Sequence, residues 1–215
     1  MIDLHTHTIF SDGELVPSEL ARRALVNGYR AIALTDHMDE SNIDFIIPRL
    51  VRVAKKLNEA LPLTVIPGAE LTHVPPEHIR DLVKEARELG AKIVVVHGET
   101  IVEPVEKGTN MAAIEAGADI IAHPGLIKPE ELQAAKEKGV CMEITSRKGH
   151  SLSNGYVARK AVETGVRLVI NTDCHGPSDL ITRAFAETVL LSAGIDNNLI
   201  NAVFASSEEL VRNVM

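Results

Sequence analysis

The 215-residue chain has no tryptophan, two tyrosines and four phenylalanines, so aromatic residues make up only 3% of it. Proteins that bind long single strands of nucleic acid stack the bases on aromatic side chains, and this chain has few to offer. It also carries 30 Asp and Glu against 22 Lys and Arg, a formal net charge of −8, which is the wrong sign for a surface that binds a phosphate backbone. The composition therefore argues against a long nucleic acid as partner.

The chain also lacks any apolar run of membrane-spanning length, and its start, MIDLHTHT, has neither the basic head nor the apolar stretch of a signal peptide. We therefore expect a cytoplasmic protein with no membrane partner. The only cysteines, Cys141 and Cys174, are expected to remain reduced thiols, because disulfides form mainly in secreted proteins. With 45% apolar residues, the sequence fits a single domain over residues 1–215 with a sizeable core.

Short runs rich in β-branched residues alternate seven times with longer amphipathic segments. Repeated strand-then-helix units are typical of a parallel sheet, and we expect an α/β fold in which this sheet closes into a barrel. Two further helices, over roughly 177–193 and 197–214, are predicted to complete the domain. The predicted strands are Ile2–Leu4, Ala31–Thr35, Leu63–Ile66, Lys92–Val96, Asp119–Ala122, Val140–Ile144 and Arg167–Asn171. Glycines that suit helix C-caps stand shortly before four of them, at Gly90, Gly117, Gly139 and Gly165.

Six of the nine histidines fall where predicted strands end, with carboxylates nearby. His5 and His7 lie two residues apart, so the period of a strand points both to the same side. Asp173 and His175 repeat this spacing after the last strand, which closure of the barrel would bring beside the first. The C-terminal ends of barrel strands are where active sites lie, and converging imidazoles and carboxylates indicate a metal-dependent one. The other strand-end residues of this kind are His37, Glu70, His97 and His123.

Six ordered motifs carry a resemblance to a known family. They are HTHT with Asp12 behind it, TDH at 35–37, GAE, VVHGE, AHPG and TDCH. From residue 1 to about Pro177 the chain closely resembles the PHP (polymerase and histidinol phosphatase) superfamily. The resemblance implies a distorted, TIM-like (β/α) barrel of seven units that binds two or three divalent ions. It also implies hydrolysis of phosphoesters by metal-activated hydroxide.

The resemblance also implies which residues bind the ions, expected from the ligand types to be Zn, Mn or Fe. Carried over by motif, the first ion has His5, His7, Glu70 and Asp173 as ligands. The second ion has Glu70 as a bridging ligand together with His97 and His123. The third has Asp12, His37 and His175, and some relatives have His in place of Asp12. Glu70 and Asp173 are expected to be catalytic through these ions, and Asp36, the neighbour of His37, is expected to support the ligands from behind.

A charge count favours phosphate as the substrate group. Three dications would bring six positive charges, and Asp12, Glu70 and Asp173 return three negative ones. The centre would thus keep a positive charge and attract a phosphate dianion.

The segment ITSRKGHSLSNG, after the sixth predicted strand, has two readings. It could place Arg147 where the guanidinium binds phosphate bidentately and His150 where it donates a proton to the leaving group, with Lys148 nearby. Alternatively, it is an exposed turn in which Ser151 or Ser153 caps the next helix.

Four further residues have less distinctive settings. His73 and His78 are interpreted as surface or lid residues, with contact to the substrate as the alternative for His73. Glu143 is either a helix-capping carboxylate or a substrate contact, and Arg183 is expected in a salt bridge outside the barrel.

Three functions compete on this evidence. The first is a phosphomonoesterase acting on a small phosphorylated metabolite, for which the resemblance to the PHP superfamily suggests histidinol phosphate. The second is a nuclease or phosphodiesterase that acts on nucleotides or nucleic-acid ends, and the third is a barrel that has lost catalysis. The complete ligand set argues against the third, and the acidic composition with few aromatics argues against a long nucleic-acid substrate. We therefore predict a metal-dependent phosphatase.

Overall fold

Seven short, mostly buried strands pair in parallel in the order in which they follow one another along the chain. A computed structural model describes residues 1–215 and shows a nearly closed α/β barrel of the TIM type, as predicted. The strands are β1 (Ile2–Asp3), β2 (Ala31–Leu34), β3 (His37–Met38), β4 (Thr64–Leu71), β5 (Ile93–His97), β6 (Ile120–Ala122), β7 (Cys141–Thr145) and β8 (Leu168–Asn171). The short β3 lies outside the ring of seven and pairs with the end of β4.

Eight helices surround the sheet. They are α1 (Pro17–Val26), α2 (Ile43–Ala60), α3 (Pro76–Leu89), α4 (Thr109–Ala116), α5 (Pro129–Lys138), α6 (Asn154–Thr164), α7 (Arg183–Ser192) and α8 (Asn197–Val214). The four glycines predicted as C-caps do end α3, α4, α5 and α6, each in the left-handed conformation. No helix combines the length and the apolar character needed to cross a membrane.

The first and last strands meet through single contacts rather than a full ladder. The backbone N–H of His7 donates to the carbonyl of Cys174 at 2.8 Å, and the N–H of Leu4 donates to Asn171 Oδ1 at 2.8 Å. The barrel is therefore nearly closed, and residues that follow β1 lie beside residues that follow β8. Both cysteines are buried and unpaired.

Two apolar cores stabilise this arrangement. The larger one packs the helices against the outside of the sheet. The smaller one has 12 buried residues, among them Leu4, Ile66 and Val95, and it fills the barrel interior. Leu210 of α8 belongs to this inner core and packs near Ile2, at the N-terminal end of the strands. Apolar side chains thus occupy that end of the barrel, and the polar residues lie at the other.

Most strand ends lie within one residue of the predicted ones, and three features differ more from the sequence expectation. Strand β4 continues to Leu71, and the short β3 was not predicted, because Glu70 of β4 pairs in register with His37 beyond the apolar part of the strand. The helix expected to start near residue 177 starts at Arg183. Residues Pro177–Asp179 form a 3-10 turn instead, in which the carboxylate of Asp179 accepts the backbone N–H of Gly176 at 2.8 Å.

Gly125 provides a test of the packing under the barrel mouth. Its backbone is left-handed (φ +64°), and a Cβ there would overlap the backbone oxygen of Glu99. We expect Gly125→Ala to lower the free energy of unfolding by about 2–5 kcal/mol, the sum of left-handed strain and overpacking. Gly28 is the matched control, because it is also left-handed (φ +79°) but has nothing within 4 Å, so Gly28→Ala should cost only about 1–2 kcal/mol. Denaturant unfolding of both variants would measure this, and equal losses would contradict the proposed overlap.

Candidate metal centre

The predicted ligands that follow β1, β4 and β8 meet at the C-terminal mouth of the barrel. His5 Nε2 lies 3.2 Å from Glu70 Oε1 and 3.7 Å from Asp173 Oδ1. His7 Nε2 lies 3.2 Å from Asp173 Oδ1 and 3.8 Å from Glu70 Oε2. All four side chains are fully or almost fully buried. These are the residues expected to bind the first ion, and the structure brings them together.

A second group lies nearer to solvent. Asp12 Oδ1 lies 3.3 Å from His37 Nε2 and 3.1 Å from His175 Nε2. The ring of His7 stacks on that of His175, with centroids 4.2 Å apart, so this group adjoins the buried one. The structure thus also brings together the three residues expected at the third ion.

Asp36 supports this second group from behind, as expected from its position. Its Oδ1 accepts the backbone N–H of Thr8 at 2.8 Å and that of Ser11 at 3.1 Å, and it also accepts both hydroxyls. These bonds fix the turn that leads to Asp12.

A third group contains His97 and His123, whose ring centroids are 4.4 Å apart. His150 joins them, because its ring stacks on that of His123 at 4.0 Å, and the three can direct ring nitrogens to within 4.8 Å of one another. Glu70, expected to bridge to His97 and His123, directs its carboxylate to His5 and to His37, whose Nδ1 is 2.6 Å from Oε2. The bridging role of Glu70 therefore stays a prediction.

Glu143 has neither of the roles considered from the sequence. It is fully buried, and its Oε2 lies 2.8 Å from His5 Nδ1 and accepts Asn171 Nδ2 at 2.9 Å. Its other oxygen accepts the backbone N–H of His123 at 3.3 Å. A carboxylate on one nitrogen of an imidazole fixes the ring and leaves the other nitrogen free for an ion. Glu143 thus orients His5 rather than capping a helix or contacting substrate.

Backbone carbonyls orient two more rings in the same way. His97 Nδ1 lies 3.2 Å from the carbonyl of Gly98, and His175 Nδ1 lies 2.9 Å from that of Asp173. A carbonyl can only accept, so in the neutral ring Nδ1 carries the proton and Nε2 presents its lone pair to the mouth.

Backbone strain is confined to this site. Only three residues other than glycine have positive φ: His73 (54°), His123 (29°) and Asp173 (53°). All three have side chains among the polar groups at the mouth. Such conformations cost free energy and persist where the surrounding structure enforces them, most often at functional sites.

Charge within the cluster keeps its carboxylates ionised. Burial alone would raise the pKa of Glu70, but His5 and His37 lower it well below its ordinary value. Burial would also raise the pKa of Asp173, but His5 and His7 outweigh this effect and lower it. In the other direction, Glu70 and Asp12 overcome burial and raise the pKa of His37 to about 10. Ionised carboxylates at neutral pH are the form that binds a metal ion.

Unpaired buried atoms show that the residues present fit a cation. Seven buried side-chain polar atoms in the protein have no hydrogen-bond partner, and six of them belong to this cluster. Buried polar atoms are normally paired, and an unpaired one costs about 1–3 kcal/mol. A neutral His7 ring has one lone pair and one N–H, so up to five of these atoms offer a lone pair, and lone pairs of imidazole and carboxylate suit a divalent transition metal. The six atoms are His5 Nε2, His7 Nδ1, His7 Nε2, Glu70 Oε1, His123 Nδ1 and Asp173 Oδ1.

Above these groups lies a cleft of about 240 Å³, lined by ten polar residues that include Arg147, His150 and Asp173. Arg147 Nη1 lies 3.3 Å from Asp179 Oδ2, and its side chain is about one third exposed. The segment 150–153 is a 3-10 turn, and neither Ser151 nor Ser153 caps α6 through its side chain. The structure thus places Arg147 and His150 at the cleft and does not show the predicted serine cap.

Of the remaining residues considered from the sequence, His78 and Arg183 lie on the surface and His73 lies at the cleft. His78 Nδ1 lies 2.7 Å from Glu40 Oε1 on the exposed side of α3, well apart from the cluster. Arg183 pairs with Glu187 along α7 and lies over the ring of Phe204, outside the barrel as expected. His73, in contrast, lines the cleft.

Glu103 was missed by the sequence reasoning. Its carboxylate lies 3.1 Å from the Nε2 atoms of both His73 and His97, and 3.3 Å from that of His150. Hydrogen bonding to His97 and His73 lowers its pKa to about 2 against partial burial. Nothing in the sequence distinguishes it from Glu99 or Glu106 in the same loop.

Comparison with known proteins agrees with the motifs. A sequence profile of the PHP domain matches residues 3–150. The uncharacterized protein MJ1295 of Methanocaldococcus jannaschii is 50% identical, over 99% of both chains. Probable phosphatase Teth514_1060 of Thermoanaerobacter sp. is 31% identical, over 93% of this chain and 89% of its own. Among solved structures, a chain in the cryo-EM structure of archaeal ribonuclease P with mature tRNA has the same fold, with a TM-score of 0.68 at 19% identity over 98% of this chain and 91% of its own.

Proposed function

The chain belongs to the PHP domain family, and from this premise we propose that it is a metal-dependent phosphoesterase that hydrolyses a small phosphomonoester. The observation that carries the proposal is the set of six unpaired buried atoms of imidazole and carboxylate at the barrel mouth. Two or three divalent ions, Zn, Mn or Fe, would bind the lone pairs among these atoms. The 31% identical relative from Thermoanaerobacter sp., a probable phosphatase, supports the same class of reaction.

We propose that nine residues bind these ions in the three sets expected from the motifs. When bound, the ions would supply Lewis acidity and lower the pKa of water towards neutrality, so that hydroxide is available for attack on phosphorus. The carboxylates of Glu70 and Asp173 offset part of the ions' charge and fix their place. Glu143 and the carbonyls of Gly98 and Asp173 hold the imidazoles in the orientation that ligation requires. The nine residues are His5, His7, Asp12, His37, Glu70, His97, His123, Asp173 and His175.

Arg147 is proposed to bind the substrate phosphate. It is the one guanidinium that lines the cleft, where its charge favours a phosphate dianion and its planar fork suits two phosphoryl oxygens. At about 240 Å³ the cleft is smaller than the roughly 300–1,000 Å³ typical of sites for drug-sized ligands, which favours a small phosphorylated substrate.

His150 is proposed to donate a proton to the leaving group. The Thr100 hydroxyl lies 2.8 Å from its Nδ1, which directs Nε2 towards the cleft. Burial lowers the pKa of His150, and the protonated ring is therefore a stronger acid. We expect His150→Ala to slow an alkyl phosphate by about 10²-fold or more while changing p-nitrophenyl phosphate far less, because a nitrophenolate scarcely needs a proton. Steady-state kinetics on both substrates would test this, with metal content checked because His150 stacks on His123. Equal losses on the two substrates would contradict a role as acid.

The test of the function combines metal content with phosphate release. We expect the purified protein to contain at least about two equivalents of divalent transition metal. Removal by a chelator should abolish activity, and added Zn²⁺, Mn²⁺ or Fe²⁺ should restore it. The substrate panel comprises sugar, amino-alcohol and nucleoside monophosphates together with a bis-ester. Less than one equivalent of metal, with no gain of activity on adding it, would overturn the proposal.

The bis-ester also decides between the proposal and a nuclease or phosphodiesterase. The acidic composition and the scarcity of aromatic residues favour hydrolysis of the monoesters alone. Faster cleavage of the bis-ester than of every monoester would reverse this choice.

A further inference from the structure

The loop between β5 and α4, residues 98–108, is fixed at its base. Glu99 Oε1 accepts the backbone N–H of Gly108 at 2.9 Å and that of Asn110 at 3.1 Å, which joins the two ends of the loop. Beyond this closure Ile101 and Val102 are largely exposed to solvent. The loop is therefore anchored where it leaves and rejoins the barrel, and its tip lies over the mouth through other contacts.

Two side chains of the loop contact the cluster: Thr100, whose hydroxyl lies 2.8 Å from His150 Nδ1, and Glu103 at the tip. Glu103 Oε2 lies 3.1 Å from Nε2 of His97 and 3.1 Å from Nε2 of His73, and Oε1 lies 3.3 Å from Nε2 of His150. These three histidines come from β5, from the segment after β4 and from the segment after β7. Imidazoles from three parts of the barrel thus converge on one residue of the loop.

The orientation of His97 leaves this contact incomplete. Because its Nδ1 faces the carbonyl of Gly98, the neutral ring presents the lone pair of Nε2 to the carboxylate of Glu103. Two acceptors 3.1 Å apart repel unless the ring carries a second proton or both atoms bind one metal ion. Two ligand atoms that share one tetrahedral zinc ion, each at about 2.0–2.2 Å from it, are themselves about 3.3–3.6 Å apart, so the 3.1 Å contacts would need to open by only a few tenths of an ångström to admit the ion. The buried pairs His5–Glu70 and His7–Asp173, both at 3.2 Å, have the same spacing.

The strained backbone of His73 supports the same conclusion. Its φ of +54° costs free energy in a residue other than glycine, and its side chain is too exposed for packing to enforce that conformation. This conformation places its side chain against Glu103 and beside the ring of His97, whose centroid is 5.1 Å away.

We propose that Glu103 supplies a carboxylate ligand to the divalent ion bound through His97, with His73 as a further ligand, and that metal occupancy therefore fixes the 98–108 loop over the mouth. Two imidazoles and one carboxylate are a ligand set suited to Zn²⁺. This inference rests on the proposed function, because it requires that His97 bind an ion.

The experiment measures zinc retention in four forms of the full chain loaded with Zn²⁺. These are the wild type, Glu103→Gln, His73→Gly and the control Glu106→Gln. Gln preserves the size of Glu103 but removes its charge, and Gly at position 73 relieves the left-handed strain while removing the imidazole. Glu106 is an exposed carboxylate of the same loop with no ion pair. We expect Glu103→Gln to release its most weakly held zinc to a chromophoric chelator about 10–100-fold faster than the wild type, and His73→Gly to be faster as well. Glu106→Gln should match the wild type.

Trypsin cleavage after Lys107 gives a second readout that does not depend on activity. Lys107 is exposed in the loop, so zinc should slow its cleavage in the wild type and in Glu106→Gln, but not in Glu103→Gln. If the wild type binds zinc and Glu103→Gln retains it equally well, with the same protection of Lys107, the inference is wrong and the proposed function stands. A matching loss in Glu106→Gln would also overturn the inference, because it would indicate general loop charge rather than ligation. If the wild type retains none of Zn²⁺, Mn²⁺ and Fe²⁺, the proposed function fails and the inference fails with it.

Discussion

Glu70→Gln is expected to lower kcat/KM for phosphate release by about a thousandfold or more, since a catalytic divalent ion contributes several kcal/mol and each ~1.36 kcal/mol is a factor of ten. Glu70 is fully buried and lies within 4 Å of imidazole nitrogens of His5, His7 and His37. An amide in its place brings N–H donors and no charge into a space that the proposal assigns to cations. Metal content should fall together with activity, and elemental analysis of the same preparation would measure that.

His78→Ala is the control for this prediction. His78 is exposed and paired with Glu40, and it has no contact with the cluster. The variant should keep both wild-type activity and wild-type metal content. Comparable losses in the two variants would mean that the catalytic centre lies elsewhere. Circular dichroism on each variant separates such a result from unfolding.

Arg147→Ala is expected to lower kcat/KM by roughly ten- to a hundredfold, the equivalent of losing a charge-assisted bidentate contact of about 1.5–3 kcal/mol. Metal content should not change. Asp179, the ion-pair partner of Arg147, still accepts the backbone N–H groups of His175 and Gly176 without it, and these bonds keep the ligand segment in place. Arg147→Lys should recover only part of the loss, because an ammonium cannot reproduce the planar fork.

The neighbouring Lys148 is the matched control for Arg147. Both line a second cleft of about 610 Å³, but only Arg147 also lines the cleft above the proposed ligands. We expect Lys148→Ala to change kcat/KM by no more than about twofold, as for most exposed charges. Steady-state kinetics of the three variants would measure this. Wild-type kinetics in Arg147→Ala would assign that segment a structural role only.

The sequence predicted the barrel and most of the cluster for one physical reason. A parallel barrel brings the C-terminal ends of all its strands to one mouth, so residues such as His5 and Asp173, which are 168 positions apart, become neighbours once the strands are recognised. The period of two along a strand also predicted correctly that His5 and His7 point the same way. Propensity and periodicity are enough for both conclusions.

The remaining features depend on contacts that have no local pattern. Glu143 was misread because its position at a strand end does not reveal that His5 and Asn171 lie within reach across the barrel. Glu103 was not recognised because its position depends on how its loop is closed. Glu99 closes the loop by accepting the backbone N–H of Gly108, and the sequence does not reveal that these two residues meet. The extra strand β3 also depends on its partner, since two residues have too little apolar surface to predict pairing.

The apolar core inside the barrel, closed at the N-terminal end of the strands by Leu210 of α8, affects how substrate and products move through the mouth. Twelve apolar side chains fill the space between that end and the polar mouth, so a charged molecule has no route through the molecule's axis. Under the proposed activity, substrate must enter and both products must leave by the same opening. The alcohol can depart first, whereas phosphate carries the charge that the centre attracts and leaves last. Turnover would then be governed by how long phosphate remains, and inorganic phosphate would compete with substrate for the vacated place.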